Sequence, residues 1–367
     1  MSDNITRKQL CSYLINNTLP TSYTQNQYHS LLRVLIHSQL HGYIAYKGLN
    51  LDDYPFAFKR HLISIATFSK AQCVQVVRAC KRISNDLQEL NAPVLLLKGA
   101  AYIAAKKANA NGRLISDIDI LVAKEHLSEV ERLLLAKGWV AKELDDFDEK
   151  YYREWSHELP PYTHIATGVT LDIHHNLLPG TSGKTIDINS MFATKLATEY
   201  GLFVPSDQYL ILHSAIHLLL NDDIEKGLRD CLDLHALIEQ YSQGNELTSL
   251  HAVFEAARCE DEFFVLLMLL TRLFGVHETK YANAILNSRN TRKFVSIVND
   301  LEQAVFPASP YISDSSNTVA RFKVYLRGHL SKMPLTLLIK HLAFKAYRTL
   351  VKKLLGEYFF KKENKQP

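Results

Sequence analysis

No apolar run in this chain exceeds the eight residues FFVLLMLL, Phe263 to Leu270. A helix that crosses a bilayer needs roughly 20, so the sequence predicts no transmembrane segment. The amino-terminal stretch MSDNITRKQLCSYLINNTLP is polar and lacks the apolar core of a secretory signal. The expectation is a cytoplasmic protein. Cysteine is scarce and unpatterned: the five, at 11, 73, 80, 231 and 259, form no CxxC pair and are odd in number. That pattern argues against a disulfide framework and for free thiols in a reducing compartment. An HExxH motif, a Cys–His metal framework, an internal repeat and any low-complexity block are all missing as well.

What is there is an ordinary globular composition, 47% hydrophobic and 22% charged over 367 residues, with its charge unevenly placed. Residues 321 to 367 hold 12 Lys or Arg against Glu357 and Glu363, a balance of +10, while the rest of the chain stands at −6. The length suits two or three units, at a prior of about 150 residues each. Residues 1–90 show apolar positions at three- and four-residue spacing, as in HSLLRVLIHSQLHGYIAY, and read as a helical region. The pattern changes at Asn91-Ala92-Pro93. From there VLLLKGA reads as a buried strand entering a Gly turn and a helix, DIDILV as a second strand, and KEHLSEVERLLLAKG as a helix ending at Gly138. VTLDIHH alternates again, so a small mixed sheet with helices is expected over 91–204. Helical spacing returns over 205–305, and FPASPYISDSSN at 306–317 has the Pro and Ser content of a linker. The basic tail through 367 mixes Lys and Arg with Leu, Phe and Tyr, as an amphipathic helix pair would. Its charge also suits an anionic partner, membrane surface or nucleic acid.

GRLISDIDILV, residues 112–122, carries the chemistry. Side chains alternate along a strand, so Ile118 and Ile120 point one way and Asp117 and Asp119 the other. Two carboxylates sharing a small surface inside an apolar run need water, a cation or basic partners. In VTLDIHH the same alternation puts Thr170, Asp172 and His174 on one face; Asp187 in KTIDINS is a rival third acid. Hard-oxygen donors in this number suit Mg2+, which takes one or two carboxylates and fills its remaining positions with water and substrate phosphate.

In this order, LLLKGAA, GRLISDIDILV and VTLDIHH resemble the motifs of the nucleotidyltransferase superfamily with the DNA polymerase beta-like fold. They are most similar to its branch of uncharacterised bacterial nucleotidyltransferases. The resemblance implies an α+β fold, a small mixed sheet flanked by N- and C-terminal helical layers. It also implies transfer of a nucleoside monophosphate from an NTP, with ATP the default, to a hydroxyl of an unknown acceptor with release of pyrophosphate. Asp117, Asp119 and Asp172 would be catalytic and hold Mg2+, or Mn2+ in its place, and Lys98, Gly99, Ala100 and Arg113 would contact the nucleotide. One departure is plain: the superfamily usually has Gly-Gly or Gly-Ser where this chain has Gly99-Ala100, so a hydroxyl is missing. An inactive nucleotide-binding regulator of the same fold and a metal-dependent phosphohydrolase using the histidines are the alternatives. His175 and His217 are further expected to orient the carboxylates, and Arg229 with Asp233, at i, i+4, to pair on one helix.

Overall fold

The computed structural model describes residues 3–16, 18–143, 156–221, 224–243, 247–275, 292–313 and 318–332, with isolated positions at 336, 339, 347, 350 and 351. Among them are thirteen α-helices and one seven-stranded mixed sheet, an α+β fold with helical flanks.

The amino-terminal layer contains α1 (Arg7–Asn16), α2 (Gln25–His37), α3 (His41–Tyr46) and α4 (Phe56–Asp86). Local chemistry sets the start of α2: Thr24 accepts from the Gln27 backbone while the Gln27 side chain returns to the Thr24 N–H, satisfying two otherwise orphaned donors. At 31 residues α4 is roughly 46 Å long and forms a wall beside the sheet.

The sheet and its helices follow: β1 (Leu95–Leu97), α5 (Lys98–Ala104), β2 (Ile118–Leu121), α6 (Leu127–Ala136), β3 (Trp139–Ala141), β4 (Tyr162–His164), β5 (Thr170–His174), α7 (Ile188–Ala193), β6 (Leu196–Ala197) and β7 (Phe203–Val204). The strand order is β3-β4-β5-β2-β1-β7-β6. The central β2 pairs antiparallel with β1, Leu97 opposite Asp119, and parallel with β5, Asp119 opposite Asp172. All four β2 residues are buried. Ile118 and Ile120 join the main core, whereas Leu121 packs with Leu95, Leu97, Leu177 and Met191 on the other face. The alternation expected from sequence therefore divides two apolar layers, with Asp119 at the rim of the smaller one.

The second helical layer comprises α8 (Asp207–Leu220), α9 (Gly227–Ser242), α10 (Leu247–Ala256), α11 (Glu260–Phe274), α12 (Arg292–Ala304) and α13 (Thr318–Lys332). A Tyr102–Ser214 hydroxyl bond of 2.5 Å ties α5 to α8. Residues 306–313, which read as a linker by composition, are bound instead: Phe306 and Ile312 are buried, and Ile312 forms a β-bridge with Ile5. Those two buried side chains and the backbone bonds of Ile5 with Tyr311 and Ser313 hold this Pro- and Ser-rich stretch down. Of the basic tail, α13 packs on α8 and α12; the second helix expected there lies outside the continuously described residues. Among the described residues no helix is long and apolar enough to cross a membrane.

The loop before β2 is pinned from two sides. The Gln72 side chain of α4 bonds both backbone groups of Ile115, donating to its carbonyl at 2.5 Å and accepting from its N–H at 3.0 Å. On the other side Gly112, at φ 72°, meets Gly42 of α3 so closely that a Cβ on either would lie 2.3 Å from the other's carbonyl oxygen. Only glycine fits at that crossing.

Candidate active site

Lys98 occupies the turn between β1 and α5, where the sequence suggested that Gly99 would supply the unusual backbone. It is Lys98 that adopts the left-handed conformation, φ 44°, a cost of order 1 kcal/mol for a residue with a Cβ. That conformation accompanies an ion pair from Lys98 Nζ to Asp119 Oδ1 of 2.6 Å. His174 Nε2 lies 3.1 Å from the same oxygen. Burial works against the Asp119 charge, but the Lys98 ammonium and His174 hold its carboxyl well below the usual range.

Asp172 has no such support. The β2–β5 register puts it beside Asp119, and its Oδ1 is buried with no hydrogen-bond partner. Burial, then the charges of Asp119, Asp117 and Glu158, push its carboxyl up to about 7. Asp117 is half-buried at the mouth and accepts from Ser116 Oγ at 3.0 Å. Asp187, the rival third acid, is exposed and caps α7 by accepting from Ser190 N. The structure thus sets Asp119 beside Asp172, with Asp117 near enough for its charge to act on Asp172, and leaves Asp187 out.

A pH dependence follows. Because the fold raises the Asp172 pKa, the unfolded chain gives up this proton first. The group's contribution to stability is complete below pH of about 4 and is lost as pH climbs through about 7. In a chelator-treated sample, Asp172→Asn is expected to flatten this fall and to raise stability at pH 8 by on the order of 2 kcal/mol. Melting curves between pH 4 and 8 that run parallel for the two proteins would contradict it.

The cleft above the carboxylates has two lobes that share Lys98, His217 and Asn221. One, of about 200 Å³, is lined by the Gly99 turn, Arg113 to Asp117, Asp119, and Lys226, Arg229 and Asp230 from the start of α9. Gly99 fits because the next loop presses on it: a Cβ would sit 3.1 Å from the Ile115 side chain and 3.6 Å from Arg113 Nη1. Ala100 is buried in the main core and does not line the cleft. Arg113 reaches the lobe but is anchored, with Nε donating to Asp233 Oδ2 at 2.9 Å and the guanidinium 5.5 Å from the Tyr102 ring centre. Asp233 and Asp230 raise the Arg113 pKa further, against the effect of burial. The expected Arg229–Asp233 helix pair is therefore not formed: Arg229 bonds Asp230 and Gln39, and Asp233 is taken by Arg113 and Asn109. For Asp233, the guanidinium of Arg113 from a distant loop outcompeted that of Arg229 one helical turn away.

The other lobe, of about 230 Å³, contains Asp172, His157, Glu158, His174, His213 and Lys332. His174, not His175, contacts the carboxylates, since β5 alternation sends His175 to the opposite face. His217 lines both lobes, bonds Asn221 at 3.3 Å and lies 3.9 Å from Asp230 Oδ2; among the described residues it bonds none of Asp117, Asp119 and Asp172. Sequence reasoning passed over Glu158 and His157, whose signal was an acid beside a histidine in SHELPP just ahead of β4, and Lys226, for which no carboxylate lies within ion-pair reach among the described residues. Burial and the nearby charges of His174, Lys332 and Lys98 push the His157 imidazole down to about 2, so it is neutral.

The fold thus combines a mixed sheet, aspartates on neighbouring strands, a lysine turn and an open cleft. The family described as "Uncharacterised nucleotidyltransferase" matches residues 24–275, more than two thirds of the chain, and the protein belongs to it. No curated protein and no solved structure matches this chain.

Proposed function

We propose that this protein is a metal-dependent nucleotidyltransferase that moves a nucleoside monophosphate from an NTP, ATP by default, to a hydroxyl of an acceptor with release of pyrophosphate. The observation that carries this reading is the register of Asp119 with Asp172 beside Asp117, with Asp172 Oδ1 buried and unpartnered. The donor set fits a hard dication: both protein contacts of Asp119 fall on Oδ1, and Asp172 has an oxygen that nothing in the fold satisfies. Asp117, Asp119 and Asp172 would hold Mg2+ or Mn2+. When bound, such an ion neutralises charge on the phosphates and on the reacting oxygens.

The remaining work belongs to the chain. Lys226 and the Nη groups of Arg113 line the first lobe, where they face the triphosphate and balance its charge. The Gly99 turn leaves room for backbone to approach a phosphate oxygen, and Ala100 serves by packing rather than by contact. Asp172, which lines the second lobe, is the group that takes the acceptor hydroxyl's proton. Catalysis then rests on positioning and on charge placed in advance, without a covalent enzyme intermediate.

The test is calorimetric titration of the four common NTPs with and without Mg2+. The expected result is binding that requires the cation and falls away for the matching nucleoside monophosphate, followed by pyrophosphate release once an acceptor is supplied. Failure of every NTP to bind with any divalent cation would sink the reading.

A further inference from the structure

We infer that His157, Glu158 and His174 form a separate site for one dication of the zinc class, on the side of the cleft away from the phosphate lobe. The backbone builds it. Leu159 N–H donates to Ile173 O at 2.8 Å and His175 N–H to His157 O at 2.9 Å, so residues 157–159 run stapled along β5 and Glu158 bridges opposite His174. One ligand atom from each of the three side chains lies within 4.8 Å of the other two.

The His174 ring supplies the strongest argument. Its Nε2 faces a carboxylate oxygen of Asp119 at 3.1 Å, and a carboxylate paired with a lysine can only accept, so Nε2 carries the hydrogen. Nδ1, the other ring nitrogen, faces Glu158 Oε2 at 3.4 Å and is buried with no hydrogen-bond partner. A proton or a metal ion between the two atoms would satisfy both, and the two make different predictions for zinc binding. The separation matches: two ligands of a tetrahedral zinc at its usual N and O distances lie about 3.3 Å apart. The Asp119–His174 contact also repeats the carboxylate–histidine pairing that fixes the tautomer of metal-bound imidazoles. His157 Nδ1 is likewise buried and unpartnered.

Two imidazoles and one carboxylate favour zinc-like ions over Mg2+, which prefers oxygen donors. Three protein ligands leave a fourth position, open to the lobe that Asp172 lines, for water or a ligand oxygen. The site does not rest on the transferase reading, and its test uses no nucleotide.

The full-length protein, stripped with a chelator and then dialysed, is titrated with Zn2+ by calorimetry; a parallel sample is loaded with Co2+ and its visible spectrum recorded. One zinc per chain is expected, together with the intense bands of tetrahedral cobalt. Asp117→Asn retains both, while His157→Ala and Glu158→Gln each weaken zinc binding by about tenfold or more. Circular dichroism checks that each variant is folded. Should His157→Ala fail to fold, the half-buried and nearly isosteric Glu158→Gln carries the comparison. Three outcomes overturn the inference: no saturable zinc binding, where a proton fills the gap between His174 and Glu158; affinity unchanged in the folded variants; or loss of binding in Asp117→Asn, which would put the ion among the aspartates.

Discussion

Asp117→Asn is expected to lower nucleotidyl transfer about 10³-fold, equivalent to roughly 4 kcal/mol of transition-state stabilisation, while changing stability by no more than about 0.5 kcal/mol. The separation of the two effects follows from position. Asp117 sits half-buried at the mouth of the cleft, bonded to Ser116 Oγ, and the replacement keeps its shape. What it removes is charge at the proposed ion site, where neutralisation of phosphate is worth several kcal/mol. Asp119→Asn behaves differently. It takes the counter-charge from Lys98 and His174 inside the fold, so stability falls by about 2–3 kcal/mol along with activity. Steady-state rates and urea midpoints on the two single variants separate the roles. Full activity in Asp117→Asn would remove that residue from the site.

The second large effect concerns Arg113. Arg113→Met is expected to destabilise the protein by about 3–5 kcal/mol, because it leaves Asp233 buried and without its cation. Total stabilities are typically about 5–15 kcal/mol, so the loss is severe. Adding Asp233→Leu to it removes the stranded charge and is expected to restore a large share of the stability, though not nucleotide affinity. Denaturation midpoints of the two single variants and the double variant read this directly. Wild-type stability in Arg113→Met would show that the bond to α9 contributes little, and would leave Arg113 a phosphate contact alone.

The family and the carboxylates were legible without coordinates because both rest on local rules. Alternation along a strand is steric, so within DIDILV it sets Asp119 opposite to Ile118 and Ile120, and within VTLDIHH it puts Asp172 and His174 on one face. The α+β class with helical flanks followed from the change of apolar period near Pro93 and its return after Pro205. Less was readable at the sheet edges, where β6 and β7 are two residues each and carry no period to detect.

By itself, then, the sequence determined which side chains of β2 and β5 share a face. Only the tertiary structure decided what those side chains meet. It set Asp172 opposite Asp119, sent Arg113 to a carboxylate 120 residues away in place of the neighbouring helix pair, chose His174 over His175, and brought Glu158 and Lys332 into the cleft. The physical reason is that backbone sterics act over a few residues and are written in every window of sequence. Which buried charge finds which partner depends on where the chain returns, and in a low-dielectric interior the contact geometry decides which pairing wins.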